Sequence, residues 1–215
     1  MTVSPDNAAS RILEAARAEF VAKGFAGARM TAIAGAAGVN HALVHYYFGN
    51  KEKLHQAAIS EIIQTVWGGI RAGLQQVPEN ATFEQLLAAL LKGHARVISQ
   101  HPEFLLFLFR NVNEGKGIPA GINEVLENFG EIPRRINAAL LKEIQAGRLR
   151  PIAPEHFWLN LMGMALSGFF ASQLLKNHPE SPLPNIAFTE TFFLERADII
   201  ADTMVRSLRP MKGDA

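Results

Sequence analysis

The sequence predicts an all-α protein, and three observations support that prediction. Apolar residues recur at helical spacing along the chain, and no stretch shows the alternating pattern of a strand. Capping residues, prolines and glycines separate the apolar segments. Of the 215 residues, 48% are hydrophobic and 19% are charged, which is typical of a folded globular protein. We therefore expect about nine helices, arranged as an N-terminal three-helix head and a larger C-terminal helical domain.

The first three helices are expected to form a helix-turn-helix domain over residues 1–50. The Ser-Pro-Asp sequence at residues 4–6 begins the first helix, and Gly24 can end it in a left-handed conformation. Its apolar stripe comprises Ile12, Ala16 and Phe20, with Leu13 beside it. A short helix begins at Thr31 and ends at Gly38, and another follows over residues 39–48. Two short helices joined by a tight turn are the layout of a helix-turn-helix motif.

The rest of the chain is expected to form one helical domain over residues 51–210, followed by a short tail over residues 211–215. Asn50 caps its first helix, and Thr82 and Gln85 match a capping box. Pro133 is expected to break or kink a later helix. The helices are predicted over residues 51–76, 82–100, from 102, 119–147, 154–177 and 189–208. A proline-rich loop over residues 178–185 separates the last two.

The composition excludes several classes of protein. The chain contains no cysteine, which rules out disulfide bonds and thiolate metal sites and is consistent with a reducing, cytoplasmic location. Residues 1–11 lack the basic and apolar segments of a signal peptide. The most apolar window, residues 157–175, approaches the length of a membrane-spanning helix. It carries four polar residues and no basic flanking cluster, so we expect a buried helix and no membrane partner.

The charges are unevenly distributed. The net charge of the chain is +1, and residues 1–55 carry six Lys and Arg against four Asp and Glu. No carboxylate occurs between Glu19 and Glu52. The basic and histidine residues in that stretch are Lys23, Arg29, His41, His45 and Lys51. A surface that faces DNA phosphates should exclude carboxylates. The alternative is a short Ala- and Gly-rich stretch that happens to hold few charges of either sign.

Two histidines at helical spacing, His41 and His45, resemble half of a metal site. Two ligands are insufficient for zinc, and the metalloprotease motif requires Glu at the position of Ala42. The other histidines lie on other segments, so we expect no metal site. The sequence also lacks a phosphate-binding loop, a dinucleotide fingerprint and a G-x-S-x-G motif. We therefore predict a protein that is not an enzyme and requires no cofactor.

The helix over residues 39–48 is predicted to expose an unusual face. Val44 and Phe48 lie one turn apart and can pack inward with Val39 and Ile33. The residues left facing outward are Asn40, His41, Ala42, His45 and Tyr46. None of them is Lys, Asp or Glu, and their polar groups suit phosphates or base edges, whereas Ala allows close approach. This face therefore indicates a helix that enters a DNA groove.

Residues 11–59 resemble the DNA-binding domain of the tetracycline-repressor (TetR) family. The resemblance rests on the KGF end of the first helix, the T-x-I-A start of the second, the AAGV turn, the YYF end of the third and the K-E-x-L start of the fourth. It implies that Thr31, Asn40, His41, Ala42, Leu43, His45, Tyr46, Tyr47 and Lys51 contact DNA. Leu43 and His45 depart from the Thr and Tyr common in the family, which affects the expected operator. Gly35 weakens the second helix by up to about 1 kcal/mol relative to Ala.

The resemblance further implies a homodimeric transcriptional regulator of double-stranded DNA, usually a repressor that a small apolar or amphipathic effector releases from a pseudo-palindromic operator. The last two long helices would pair with a second subunit, unless they form an ordinary intramolecular core. The ligand-binding candidates are Trp67, His94, Phe104, Phe107, Arg110, Asn111, Phe129, Trp158 and Met162. Core packing is the alternative for the aromatic residues, and an ion pair with Glu114 is the alternative for Arg110.

Two further alternatives remain open at this point. A partner protein could control the regulator instead of a small molecule, and activation is open beside repression because it depends on the position of the operator in a promoter. The sequence does not identify the effector, the operator or the regulated genes.

Overall fold

The structure is a computed structural model that describes residues 5–78, 80–113, 130–176 and 186–210. Within these ranges it contains nine helices and no strand, which confirms the all-α prediction. The helices are α1 (Pro5–Gly27), α2 (Met30–Ala36), α3 (His41–Phe48), α4 (Lys51–Gln75), α5 (Phe83–Gln100), α6 (Pro102–Asn113), α7 (Glu131–Gln145), α8 (Pro154–Lys176) and α9 (Glu190–Ser207). The predicted loop over residues 178–185 lies outside the described residues.

The chain forms two compact units. The first comprises residues 1–65 and 103–127, and the second comprises residues 66–102 and 128–215, as far as these are described. The described part of the predicted head over residues 1–50 lies in the first unit, together with the first half of α4 and nearly all of α6. The long helix α4 therefore contributes residues to both units.

The core of the first unit is built on the predicted stripe of α1. Ile12, Ala16 and Phe20 have no exposed surface. Gly24 interrupts α1 with φ 69° and ψ 175°, a conformation that only glycine adopts readily, so the helix bends near its predicted end. Beyond the bend, the Phe25 ring lies 6.2 Å from that of Phe20. The bend thus returns the chain to the core before α2 begins.

The helix-turn-helix motif forms with small shifts in its predicted boundaries. α2 begins at Met30, one residue before Thr31. Gly38 has φ 63°, as the tight turn requires. α3 begins at His41, two residues later than predicted, because Asn40 caps it and accepts a hydrogen bond from the Leu43 amide at 2.7 Å.

The second unit packs α5 against α7, α8 and α9. The capping box at the start of α5 is confirmed: the Gln85 amide donates to Thr82 Oγ1, and the Thr82 amide donates to Gln85 Oε1. Pro133 lies in the first turn of α7, where proline removes no helical hydrogen bond, so the predicted break or kink would fall at the start of this helix and stays a prediction. Residues 119–129 of that predicted helix lie outside the described residues.

α8 is buried on one side only. By length and composition alone, Pro154–Leu175 could cross a membrane, at a mean hydropathy of 1.2. Within its most apolar window of 18 residues 22% is buried, and the buried residues of the helix include Phe157, Leu161 and Phe169. The opposite side exposes large apolar residues such as Leu159, which is 69% exposed. The predicted burial of this helix is therefore met on one face and not on the other.

Candidate nucleic-acid interface

The predicted DNA contacts lie on the surface of the first unit. Six are exposed, and the other three are half-buried (Leu43, Tyr47 and Lys51). The buried side of α3 is formed by Val44, which has no exposed surface. Tyr46 lies on the opposite side and is 81% exposed, with its ring 5.3 Å from that of Tyr47. A large aromatic side chain so exposed offers both a hydroxyl and a flat apolar face to a partner.

Two of these residues also hold the ends of α3. Asn40 uses its side-chain oxygen to cap the helix, which leaves its side-chain amide nitrogen available as a donor. His45 Nδ1 donates to the Gly49 carbonyl oxygen, so in the neutral ring Nε2 is left to accept from a donor on a base edge. The local structure therefore orients both side chains without consuming all of their polar atoms.

His41 and His45 lie side by side, with ring centroids 4.5 Å apart and ring planes at 81°. Among the described residues, no group of three or more His, Cys, Asp or Glu side chains could hold a metal ion. The T-shaped packing of the two rings provides a structural reason for their spacing. Both rings remain exposed beside Tyr46, so they extend the polar face of α3.

Lys51 lies at the start of α4, which follows α3 after two residues. Its ammonium group donates to the Ala26 carbonyl oxygen at 3.2 Å and lies 4.8 Å from the centroid of the Phe25 ring. Asn50 caps α4 as predicted, since its Oδ1 accepts from the Lys53 amide at 2.9 Å. An ammonium group has three donors, so the bond to Ala26 leaves donors of Lys51 for a phosphate.

A shallow groove beside Thr31 adds two cations to this surface. Lys23, Gly27, Arg29, Thr31 and Ala32 line it. An exposed hydroxyl with two cations suits a DNA phosphate. Lys23 and Arg29 are not among the predicted contacts, although the carboxylate-free stretch that contains them was the signal that could have identified them.

Glu19 positions this groove. Its carboxylate accepts hydrogen bonds from Lys23 Nζ at 2.9 Å and from the Arg29 amide at 3.3 Å, which ties α1 to the residue that precedes α2. The hydrogen bond from Lys23, followed by that from the Arg29 amide, lowers the pKa of Glu19 despite some opposing desolvation. The carboxylate therefore stays charged and paired with Lys23 at neutral pH.

Three of the ligand-binding candidates pack inside the first unit. Phe104 and Phe107 are buried, and the Phe107 ring lies 6.0 Å from Phe20 and 5.2 Å from His55. Arg110 donates to the carbonyl oxygen of Val21 at 2.8 Å and to that of Ala22 at 3.2 Å. It thus bonds two carbonyls that lie just before the bend at Gly24. These contacts give the three residues structural roles.

The other described candidates lie in the second unit. Trp67, Trp158 and Met162 are partly buried against its core, and Trp158 Nε1 donates to Asn137 Oδ1 at 2.9 Å. His94 borders a small cavity between α5, α8 and α9. The Asn111 side chain and Phe129 lie outside the described residues. The candidates are therefore divided between the two units, and their roles in ligand binding stay predictions.

Comparisons with known proteins agree with the helix-turn-helix geometry. The family model of "Bacterial regulatory proteins, tetR family" matches residues 12–58. The HTH-type transcriptional repressor SCO4008 of Streptomyces coelicolor is 34% identical over 105 residues, which span 49% of this chain and 50% of that protein. RutR, an HTH-type transcriptional regulator of Escherichia coli O157:H7, is 24% identical over 204 residues, 93% of this chain and 89% of RutR. Both relatives are thus HTH-type regulators of transcription.

A solved structure extends the agreement to the whole fold. The crystal structure of AibR, determined with isovaleryl coenzyme A and operator DNA, has a TM-score of 0.62 against this chain at 19% identity, and the match covers 94% of this chain and 98% of AibR. At this level of identity the likeness shows the fold. The family match over residues 12–58 shows that the chain carries a DNA-binding domain of the TetR family of bacterial regulatory proteins, and together with the two regulators it supports a DNA-binding transcriptional regulator of that family.

Proposed function

We propose that the protein is a homodimeric repressor, released from a pseudo-palindromic operator by a small apolar or amphipathic effector. The α3 helices of its two subunits would enter successive major grooves, about 34–36 Å apart. The observation that carries the proposal is the outward face of α3, on which Tyr46 is 81% exposed and no carboxylate occurs. The predicted contacts of α3 would read base edges and phosphates, and Thr31 and Lys51 would hold phosphates on either side.

The exposed side of α8 supports a homodimer. Leu159, Gly163, Leu166, Phe170 and Leu174 recur at intervals of three and four residues and so share one face, which we call the α8 stripe. Three of its members are strongly exposed, at 69% for Leu159, 45% for Phe170 and 59% for Leu174. Monomeric proteins seldom expose such an apolar row, and a second copy of the helix would cover it.

Two further observations extend this interface. A Cβ atom at Gly163 would meet nothing within 4 Å, so this position leaves room for a partner helix to approach. On α9, Ile199 is 61% exposed. These features support pairing through the last two long helices of each subunit, as predicted.

α4 is the element best placed to couple ligand to DNA. It follows α3 after two residues and contributes to both compact units. An effector that favours a different position of α4 would change the spacing of the two α3 helices. For every 1.4 kcal/mol or so by which the effector favours the non-binding conformation, the affinity for the operator would fall about tenfold. AibR, which has been solved with both an acyl coenzyme A and operator DNA, supports such a response by its fold.

Selection of bound sequences from random duplex DNA tests the α3 assignment. At one fixed salt concentration, the wild type should enrich a pseudo-palindrome, and Tyr46→Ala should not, because the variant loses an exposed contact and no core packing. Leu141→Ala is the matched control: this residue is 53% exposed on α7, and its variant should enrich the same sequence. Enrichment that survives in Tyr46→Ala would exclude α3 as the reading helix.

Sedimentation of Leu159→Lys tests the dimer. The lysine would place a charge in the α8 stripe, so we expect a monomer at concentrations where the wild type and Leu141→Lys are dimers. A dimeric Leu159→Lys protein would place the interface elsewhere.

Once the operator is known, a small-molecule screen for operator release tests the effector. If the protein binds the operator and no compound in the screen releases it, that result would favour control by a partner protein.

A further inference from the structure

The junction between α3 and α4 contains a turn that glycine forms far more readily than other residues. Gly49 has φ 73° and ψ −78°, and the Asn50 amide donates to the Phe48 carbonyl oxygen at 2.9 Å. These values describe a γ-turn with a positive φ, which is a rare and strained conformation. Backbone strain of this kind often persists where the protein uses the resulting geometry. Here the turn gives the Gly49 carbonyl group a direction that a regular helix end would not.

His45 is bonded to this turn through both its backbone and its side chain. Its carbonyl oxygen accepts from the Gly49 amide at 2.8 Å, and its ring nitrogen Nδ1 donates to the Gly49 carbonyl oxygen. The ring of His41 packs against it, with the two ring planes at 81°. The His45 side chain is exposed, but these contacts hold its ring in one orientation on the outward face of α3.

The bond to Gly49 determines which ring nitrogen of His45 carries the proton. A carbonyl oxygen can only accept, so Nδ1 must be the protonated nitrogen. In the neutral imidazole the second nitrogen, Nε2, then has a lone pair and no hydrogen. Within the described part of the chain, no residue forms a hydrogen bond with Nε2. The neutral ring therefore presents an acceptor, and only an acceptor, on this face.

An acceptor on the outward face of α3 has few possible partners in DNA. Phosphate oxygens accept hydrogen bonds themselves, so they offer no donor to a neutral imidazole. In the major groove, guanine N7 and O6, adenine N7 and thymine O4 are acceptors as well. The donors there are the exocyclic amino groups, N6 of adenine and N4 of cytosine. A ring fixed in this protonation pattern is thus matched to two of the four bases.

We propose that His45 is a specificity-determining residue whose Nε2 accepts a hydrogen bond from the amino group of an adenine or a cytosine in the major groove. The inference rests on the proposed docking of α3 in that groove. Guanine or thymine at the contacted position is disfavoured because it places an acceptor against Nε2. The tyrosine that is common at this position in TetR regulators has a hydroxyl that both donates and accepts, so it would not make this distinction.

Selection of bound sequences at about pH 8, where exposed imidazoles are ordinarily neutral, compares three proteins. The wild type should enrich adenine or cytosine at one position of each half-site. His45→Ala should lose that preference and keep the rest of the operator. His45→Lys, whose side chain can only donate, should enrich guanine at the same position. Guanine or thymine at the position that responds to His45→Ala in the wild-type operator would overturn the proposal.

Methylation of the amino group locates the contact. N6-methyladenine and N4-methylcytosine keep their base pairs but turn a methyl group, instead of a hydrogen, toward the major groove. At the selected position this change should weaken the wild type at least about fivefold for each half-site. His45→Ala should bind the methylated and the unmethylated operator equally. The matched variant Leu141→Ala, changed at an exposed site on α7, should show the same loss as the wild type.

The possible failures have different meanings. An equal loss on methylation in the wild type and in His45→Ala would overturn the proposal, because another residue would then read the amino group. A pseudo-palindrome whose bases are the same for the wild type, His45→Ala and His45→Lys would overturn it as well and leave the docking of α3 intact. A folded wild type that enriches no sequence would overturn both the docking and the role of His45.

Discussion

Gly93 is the residue at which the structure predicts the sharpest response to a single methyl group. In the second unit, α5 crosses the second half of α4 at glycines on both helices. A Cβ atom at Gly93 would lie 2.8 Å from Ile70 Cα and 3.2 Å from the Gly69 carbonyl oxygen. Both obstacles are backbone atoms, which cannot rotate away as a side chain would. Gly93→Ala therefore forces the two helices apart.

The magnitude follows from two opposing terms. Overpacking a well-packed contact costs about 1–3 kcal/mol, and a backbone obstacle favours the upper end of that range. The change from glycine to alanine in a helix contributes about 1 kcal/mol in the opposite direction. We expect Gly93→Ala to lower the free energy of unfolding by about 2 kcal/mol, and we expect little relief from local adjustment.

Gly68→Ala is the matched control for this prediction. It lies on α4 next to Gly69, but its Cβ atom would meet nothing within 4 Å. The same substitution should therefore stabilise the protein by about 0.5–1 kcal/mol. Urea unfolding followed by circular dichroism, at equal protein concentration for every variant, measures both effects. A Gly93→Ala protein as stable as Gly68→Ala would refute the close crossing.

Three further predictions concern stability. Thr82→Ala should lower the free energy of unfolding by about 1 kcal/mol because it removes half of the capping box. Gly35→Ala should raise it by about 0.5–1 kcal/mol because a Cβ atom there would meet nothing within 4 Å. Thermal unfolding with unchanged midpoints would contradict both. Burial lowers the pKa of His94 to about 4, so the unfolded state binds a proton as pH falls below about 6.5, whereas the folded state does so only near pH 4. Between about pH 6.5 and pH 4, the free energy of unfolding of the wild type should therefore fall by up to about 3 kcal/mol relative to that of His94→Leu. A difference in unfolding free energy that does not change with pH would contradict this prediction.

The features predicted well from the sequence are those encoded within a few residues. The caps at Asn50 and Thr82 are local hydrogen bonds, so the residue types alone identified them. The face of α3 followed from helical spacing, since burying Val44 leaves Tyr46 on the opposite side. The start of α3 was misplaced because Asn40 was read as a residue of the helix and not as its cap.

The features that escaped prediction depend on residues far apart in the chain. Arg110 donates to carbonyl oxygens of α1 that are 88 and 89 positions away in the chain. No local sequence pattern distinguishes such an arginine from one that binds a ligand. His94 and Arg196 border the same small cavity only because α5 packs against α9. The need for glycine at position 93 is equally hidden, since it arises from the backbone of another helix.

The spacing of the operator half-sites determines whether one dimer can bind both of them. Two α3 helices held by one dimer must read two half-sites on the same face of the duplex. Inserting about five base pairs, half a helical turn, at the centre of the selected operator places the half-sites on opposite faces. We predict that affinity falls to the non-specific level, a loss of about 10³-fold or more at the same salt concentration. Unchanged affinity for the lengthened operator would contradict the account.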